Sequence, residues 1–276
     1  MNSNSSAFVA FLKNWSSRNF RDMPWRREPT GYYVLVSELM LQQTQVERVV
    51  PKFLTFINQF NTIDSLASAL QSEVVIYWQG LGYNRRALYL HQSAQQILSQ
   101  HGGMVPSAVE ALESLPGVGK NTAGAIAAYV YNMPVIFIET NIRTVLFYHF
   151  FKESRESIND RALQSILAQC LAAAIAENFS PREFYWAMMD YGAFLKRSGV
   201  KNNYKSVSYR KQSALEGSVR QARGLIIAHL TTQPRGLASY AELIGVSNGY
   251  GHTDSALAQL EREGFIVREA AGYRLR

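Results

Sequence analysis

The chain has 276 residues, enough for about two domains, of which 47% are hydrophobic and 18% charged. That balance excludes a mostly disordered chain and allows a sizeable buried core. Lys and Arg outnumber Asp and Glu by 28 to 21, so the net charge is +7 and the expected partner is a polyanion, nucleic acid before an anionic membrane.

The first six residues are polar, and the apolar stretch that follows is broken by Lys13 and Arg18, which is no signal peptide. Phe8, Val9, Phe11, Leu12 and Trp15 recur at helical spacing. Pro24-Trp25 breaks into a loop. Val34, Val36, Leu39 and Leu41 open a second helix, carrying Glu38 and, near its end, the run Gln42-Gln43-Thr44-Gln45. Further helices centre near Phe53, Leu66, Val75, Leu90 and Leu112, with a turn at Gly80-Leu81-Gly82-Tyr83. Residues 121–130, 140–150, 163–176 and 184–195 continue the helical pattern. Cys170, the single cysteine, reads as a small buried apolar residue of a reducing compartment. It excludes an intrachain disulfide, a four-cysteine iron–sulfur cluster and a cysteine-based zinc site.

Beyond residue 195 the pattern changes. Residues 196–223 hold eight basic residues against one acid, Glu216, while the rest of the chain carries 20 of each sign. Tyr204, Tyr209, Asn202 and Asn203 are interleaved with these charges. The stretch is a phosphate-contacting segment, a solvated linker, or both. Residues 219–230 and 238–244 are helical. Thr253 or Asp254 caps a third helix that Gly264 ends. Phe265-Ile266-Val267-Arg268 and Tyr273-Arg274-Leu275-Arg276 flank a turn at Gly272. Three helices and a small hairpin make a winged-helix plan. No apolar run reaches the ~18 residues of a membrane span, so the expectation is a soluble, cytoplasmic protein.

Three features carry chemistry. Leu115-Pro116-Gly117-Val118-Gly119 before a helix is a tight turn whose backbone N–H groups and following helix N-terminus suit a phosphate. Lys120 and Thr122 stand at its mouth; the plainer reading is a helix–helix turn. Glu38 and Glu139 each lie in apolar runs, where a charge is costly and burial raises the carboxyl pKa. Two such carboxyls in different settings can divide into acid and base. Alternatively, Glu139 is a helix-start residue and Glu38 a surface one.

Together with Met23-Pro24-Trp25-Arg26, Ser37-Glu38-Leu39-Met40-Leu41-Gln42-Gln43-Thr44-Gln45-Val46, Trp78-Gln79-Gly80-Leu81-Gly82-Tyr83, Thr122-Ala123-Gly124-Ala125-Ile126 and Ala187-Met188-Met189-Asp190-Tyr191-Gly192-Ala193, these segments resemble the helix-hairpin-helix (HhH-GPD) DNA glycosylases, and among them the MutY-type adenine DNA glycosylases. The resemblance covers residues ~5–196. It implies a mainly α, two-lobed, all-helical glycosylase fold over residues 1–212, with a basic loop at 196–212; the winged-helix-like domain at 213–276 is read from the helix and hairpin pattern instead. It also implies base flipping on double-stranded DNA carrying a mismatch or lesion, by a monomer at the nucleoid without membrane attachment. Glu38 would protonate adenine, Glu139 would stabilise the oxocarbenium sugar, and Asn141 completes the catalytic set. Trp25, Arg26, Asp190 and Asn121 would form the base pocket. Gln43 would fill the gap left by the flipped nucleotide, with Thr44 and Leu81 against the opposite base and Tyr83 beside them. Pro116, Gly117, Val118, Gly119, Lys120 and Thr122 would grip the backbone, with a monovalent cation as the one expected ion.

Four departures from the family pattern matter. Glutamate stands at 139 where the family uses aspartate. The four cluster cysteines are missing, and Lys201, Lys205, Arg210 and Lys211 would take over DNA contacts. Asn121 stands where bifunctional members carry a Schiff-base lysine, which implies a monofunctional enzyme. The C-terminal segment, with Asn248, Tyr250, His252 and Arg268 as candidate DNA contacts, replaces a Nudix-like domain. The resemblance leaves two alternatives: a thymine or uracil mismatch glycosylase of the same superfamily, and a non-catalytic lesion-binding protein.

Overall fold

The computed structural model describes residues 3–154, 157–207, 214–233, 236–247 and 250–276. In chain order the helices are α1 (Ser3–Asn19), α2 (Pro24–Arg27), α3 (Gly31–Leu41), α4 (Val46–Gln59), α5 (Ile63–Ala67), α6 (Gln71–Trp78), α7 (Arg85–His101), α8 (Val109–Glu113), α9 (Lys120–Tyr131), α10 (Thr140–Phe150), α11 (Asp160–Ala176), α12 (Pro181–Arg197), α13 (Val219–Thr232), α14 (Tyr240–Val246) and α15 (Tyr250–Arg262). Strands β1 (Ile266–Glu269) and β2 (Gly272–Leu275) close the chain. The chain folds as two compact units. One comprises residues 1–38, 105–114 and 118–211; the other comprises 39–104, 115–117 and 212–276. Among the described residues no helix is long and apolar enough to cross a membrane.

The first unit is built from α1, α2, most of α3 and α8 to α12. Its core helices begin with strong signals. Ser180 caps α12 by accepting from the Glu183 N–H, and Pro181 fills the first turn, where no N–H is missed. Asn159 caps α11 the same way. Gly192 lets α12 lie tightly on the start of α10: a Cβ there would sit 2.7 Å from the Asn141 carbonyl carbon. Cys170 is fully buried on α11, and burial pushes its thiol up to about 11, which suits the inert packing role expected of it.

The second unit holds α4 to α7 and the C-terminal elements. Ser239 caps α14 in a capping box with Glu242. The hairpin pairs Ile266 with Leu275 and Glu269 with Gly272. Ala238 bonds both main-chain groups of Tyr273, at 2.9 and 2.8 Å, adding a third rung. This is the helix and hairpin order expected from the sequence. Its core is shared: Ile226, Leu230, Leu260 and Phe265 pack in one buried cluster with Val75 of α6 and Leu88 of α7. α14 starts two residues later than expected, after its Ser239 cap, and the start of α15 differs in kind. α15 opens at Tyr250, so Thr253 lies inside it. Its hydroxyl is buried and shares a 2.6 Å hydrogen bond with the Ser247 hydroxyl, so it does not cap the helix.

Candidate active site and exposed loops

In the first unit, Glu38 lies on α3 between the buried residues Ser37 and Leu39. It retains some solvent access, yet protein surrounds it, and this burial pushes its carboxyl well above the usual carboxylate range. The charge of Glu139 pushes the same way, and Arg26 opposes both. Glu139 is the N-cap residue of α10, with extended backbone at φ −100° and ψ 170°. Buried Phe137 and Ile138 lead into it. Burial pushes its carboxyl up to about 7, against the pull of Lys196 near the end of α12. Tyr129 of α9 is buried near both acids; burial raises its phenol, and the charges of Glu38 and Glu139 add to that. Two acids this close in a dry setting disfavour double ionisation. The arrangement favours one neutral carboxyl and one carboxylate.

Asp190, buried on α12, is engaged by two arginines. Its carboxylate accepts from the Arg21 main-chain N–H at 3.0 Å and Nε at 2.7 Å, and from both Arg26 Nη atoms at 2.8 and 3.0 Å. The Arg26 guanidinium also lies over the rings of Phe20 and Trp186, at 5.4 and 5.3 Å. Trp25 is buried beside it. Asn121 uses both ends of its amide on one residue: Nδ2 donates to the Ile138 carbonyl at 2.9 Å, and Oδ1 accepts from the Ile138 N–H at 3.3 Å. It thereby holds the segment that ends in Glu139. Asn141 is the second residue of α10, half-buried where Gly192 passes.

The second unit carries the loops. α3 stops at Leu41, so the run Gln42–Gln45 is a turn past the helix rather than its last residues. Gln43 stands exposed with φ +55°. The Gln42 amide donates to the Gly117 carbonyl at 3.2 Å, and Ser93 donates to the Pro116 carbonyl at 2.8 Å. Gly117 itself, at φ +77°, has no room for a side chain: a Cβ would meet Tyr89 at 2.8 Å. Leu81 is 2% exposed and part of the core, while Tyr83 of the same turn shows 38% of its surface. Leu81, expected against the opposite base, is thus packed in the core, and Tyr83 is the exposed side chain of this turn. On the first unit's side of the chain, Val118 is buried, Gly119 is the N-cap of α9, Lys120 is exposed and Thr122 half-buried.

One buried cation ties these loops together. Arg86 of α7 donates to the carbonyls of Leu39 and Met40, acceptors in the last turn of α3, at 2.8 Å, and to that of Gln42 past the helix at 2.5 Å. Its other Nη reaches the Thr44 hydroxyl at 3.1 Å and the Gly82 carbonyl at 2.8 Å. Burial lowers its pKa to about 10, still well above neutrality.

Of the basic segment, Lys201 is exposed. Lys205 is engaged in structure: its ammonium donates to the carbonyls of Phe151, Lys152 and Ser154 at 3.0, 2.8 and 3.1 Å. Those bonds use its three donors and finish the end of α10, so the phosphate contact expected of it is replaced by a helix stop. Arg210 and Lys211 lie outside the described residues, as does Asn248. Tyr250 opens α15, His252 is exposed, and Arg268 lies over the Tyr273 ring at 5.9 Å.

Comparison with known proteins gives the family. Residues 36–169 match the model of the HhH-GPD superfamily base excision DNA repair proteins. An adenine DNA glycosylase of Mycolicibacterium smegmatis is 32% identical over 279 residues, covering 95% of this chain and 93% of that protein. The chain belongs to the HhH-GPD superfamily. The human adenine DNA glycosylase is 38% identical over 150 residues, 51% of this chain and 28% of its own. The chain thus spans nearly all of one relative and under a third of the other. A thermostable thymine-DNA glycosylase superposes with a TM-score of 0.61 at 25% identity, over 70% of this chain and 87% of its own. An endonuclease III bound to DNA shares the fold at a TM-score of 0.55 and 16% identity, over 73% and 90%.

The HhH-GPD match spans Glu38, Glu139 and the 115–119 turn, and stops before Asp190 and the C-terminal elements. Sequence reasoning did not single out Tyr129, Arg86 or Lys196 as individual site residues. The tyrosine and Arg86 carry no local signal, because their partners lie up to 100 positions away in the chain.

Proposed function

We propose that the chain is a monofunctional adenine DNA glycosylase of base excision repair, hydrolysing the N-glycosidic bond of adenine flipped out of double-stranded DNA. The observation that supports this most is the pair Glu38 and Glu139, both pushed up by burial and each sensitive to a nearby charge. Adenine leaves poorly as an anion and must first be protonated. Glu38, whose carboxyl burial pushes well above the usual carboxylate range, is the acid for that step. The sugar then becomes an oxocarbenium ion, and Glu139 as carboxylate stabilises its charge. Asn121 and the following helix start set where that carboxylate stands. Asn121 also cannot form a Schiff base, so the reaction ends at the abasic site. Asp190 holds Arg26, and Arg26 with Trp25 forms the wall of the base pocket.

Gln43 enters the space the base leaves, with Thr44 and Tyr83 towards the opposite strand. The 115–119 turn holds backbone phosphate. A monovalent cation fits there as part of the proposal: the Pro116 and Gly117 carbonyls each accept one hydrogen bond, which leaves each a lone pair for a cation. No iron–sulfur cluster takes part, since one cysteine cannot bind it. The work site is the chromosome, in the cytoplasm of a bacterial cell. The test is single-turnover release from duplexes carrying adenine opposite 8-oxoguanine, adenine opposite guanine, thymine opposite guanine and uracil opposite guanine, with the freed base identified chromatographically. Adenine alone is expected. Thymine or uracil as the freed base would move the enzyme to another branch.

A further inference from the structure

The Gly80–Tyr83 turn is unusual in its backbone: Gly80, Gly82 and Tyr83 all have positive φ, at +94°, +71° and +47°. A tyrosine in that region is held there by its surroundings. Two bonds hold it from α7: the Arg86 main-chain N–H and Nε both donate to the Tyr83 carbonyl, at 3.1 and 3.3 Å. The Arg86 guanidinium also lies over the Tyr83 ring at 5.5 Å. A second guanidinium reaches the same ring from the C-terminal segment. Arg220 of α13 lies over it at 5.7 Å. The base of α13 is itself fixed in place. Arg223, one turn on, pairs with Glu263 at 2.5 Å, and Glu263 also pairs with Arg85, two residues after Tyr83. Gln71 donates to the Gly264 carbonyl at 2.6 Å, and Leu88 of α7 lies in the C-terminal core.

Resting on the proposed function, we infer that Arg220 is a positioning residue for Tyr83, and that through this contact the C-terminal segment takes part in discriminating the base opposite the adenine. The cation over the ring fixes the angle at which the half-exposed phenol meets that base. Its loss lets the ring turn and blurs the choice between opposite bases.

The test is a double-mutant cycle on the full chain, reading affinity for duplexes that carry an uncleavable adenine analogue opposite either 8-oxoguanine or guanine. The quantity is the ratio of the two Kd values. Arg220→Ala should shrink the wild-type ratio about three- to tenfold, Arg220→Lys should restore part of it, and in a Tyr83→Leu background Arg220→Ala should change nothing further. Arg223→Ala, which loosens the same helix but keeps the Arg220 side chain, should cost less of the ratio than Arg220→Ala. Equal effects of Arg220→Ala with and without Tyr83, an equal loss in Arg223→Ala, or a wild-type ratio of one would each overturn the inference. Adenine release by the wild type is scored separately on cleavable duplexes. Absence of release with the Arg220–Tyr83 coupling intact removes the enzymatic reading and keeps this one.

Discussion

Replacing Glu139 by glutamine should cost activity and gain stability, and the gain should depend on pH in a defined direction. Burial lifts the Glu139 carboxyl from its usual 4.5 to about 7. Between those values the folded chain holds a proton that the unfolded chain has released. Stability therefore falls as pH rises through the window from 4.5 to 7. At 1.36 kcal/mol per unit, the loss is on the order of 3 kcal/mol. Glutamine keeps the shape and does not titrate. Guanidinium unfolding midpoints should coincide for wild type and Glu139→Gln at pH 4 and separate by pH 8, with the variant the more stable. Over the same series adenine release should fall ~100- to 1,000-fold, the usual effect of removing one electrostatic stabiliser. Parallel midpoints from pH 4 to pH 8 would refute the claim that Glu139 is held in a dry, charge-averse position.

Further outcomes follow from single contacts. Lys201→Ala should lower the salt slope of DNA binding by about 1, whereas Lys205→Ala should leave the slope unchanged and destabilise the fold by ~1–3 kcal/mol, because its three acceptors at the end of α10 are stranded. Gly192→Ala should destabilise by ~1–3 kcal/mol through the clash with Asn141, and thermal unfolding reads it. Arg86→Met should cost ~2–5 kcal/mol by urea titration, since it takes the Arg86 donor from the buried carbonyls of Leu39 and Met40.

The chain's helices were largely legible from spacing alone, because each buries one apolar face. α10 and α12 also begin at clear chemical signals, Thr140 after Glu139 and Pro181 after Ser180. The two acids were legible for a physical reason: a carboxylate inside Val-Ser-Glu-Leu-Met or Phe-Ile-Glu-Thr needs an explanation. What could not be read was which polar groups are already engaged. Lys205 looks like a phosphate ligand in a basic run, yet its donors close a helix. Leu81 looks like a base contact, yet it is core, and Tyr83 two positions on carries the exposed ring. Asn121 looks like a pocket residue, yet its amide pairs with Ile138. In each case the deciding partner lies 2 to 54 positions away, and only the folded chain brings it near. The C-terminal elements were legible in order and type. Their shared core with α6 and α7 was not, because Val75 and Leu88 resemble ordinary helix residues.

The measurement that tests the central claim most directly is single-turnover adenine release from a duplex with adenine opposite 8-oxoguanine, by wild type, Glu38→Gln and Glu139→Gln at equal, saturating enzyme. A neutral acid paired with a carboxylate predicts release by the wild type, a fall of at least ~100-fold in each variant, and retained binding of the uncleaved duplex in both. Release by either variant within about threefold of wild type would contradict it, because the chemistry would then not run through that carboxyl.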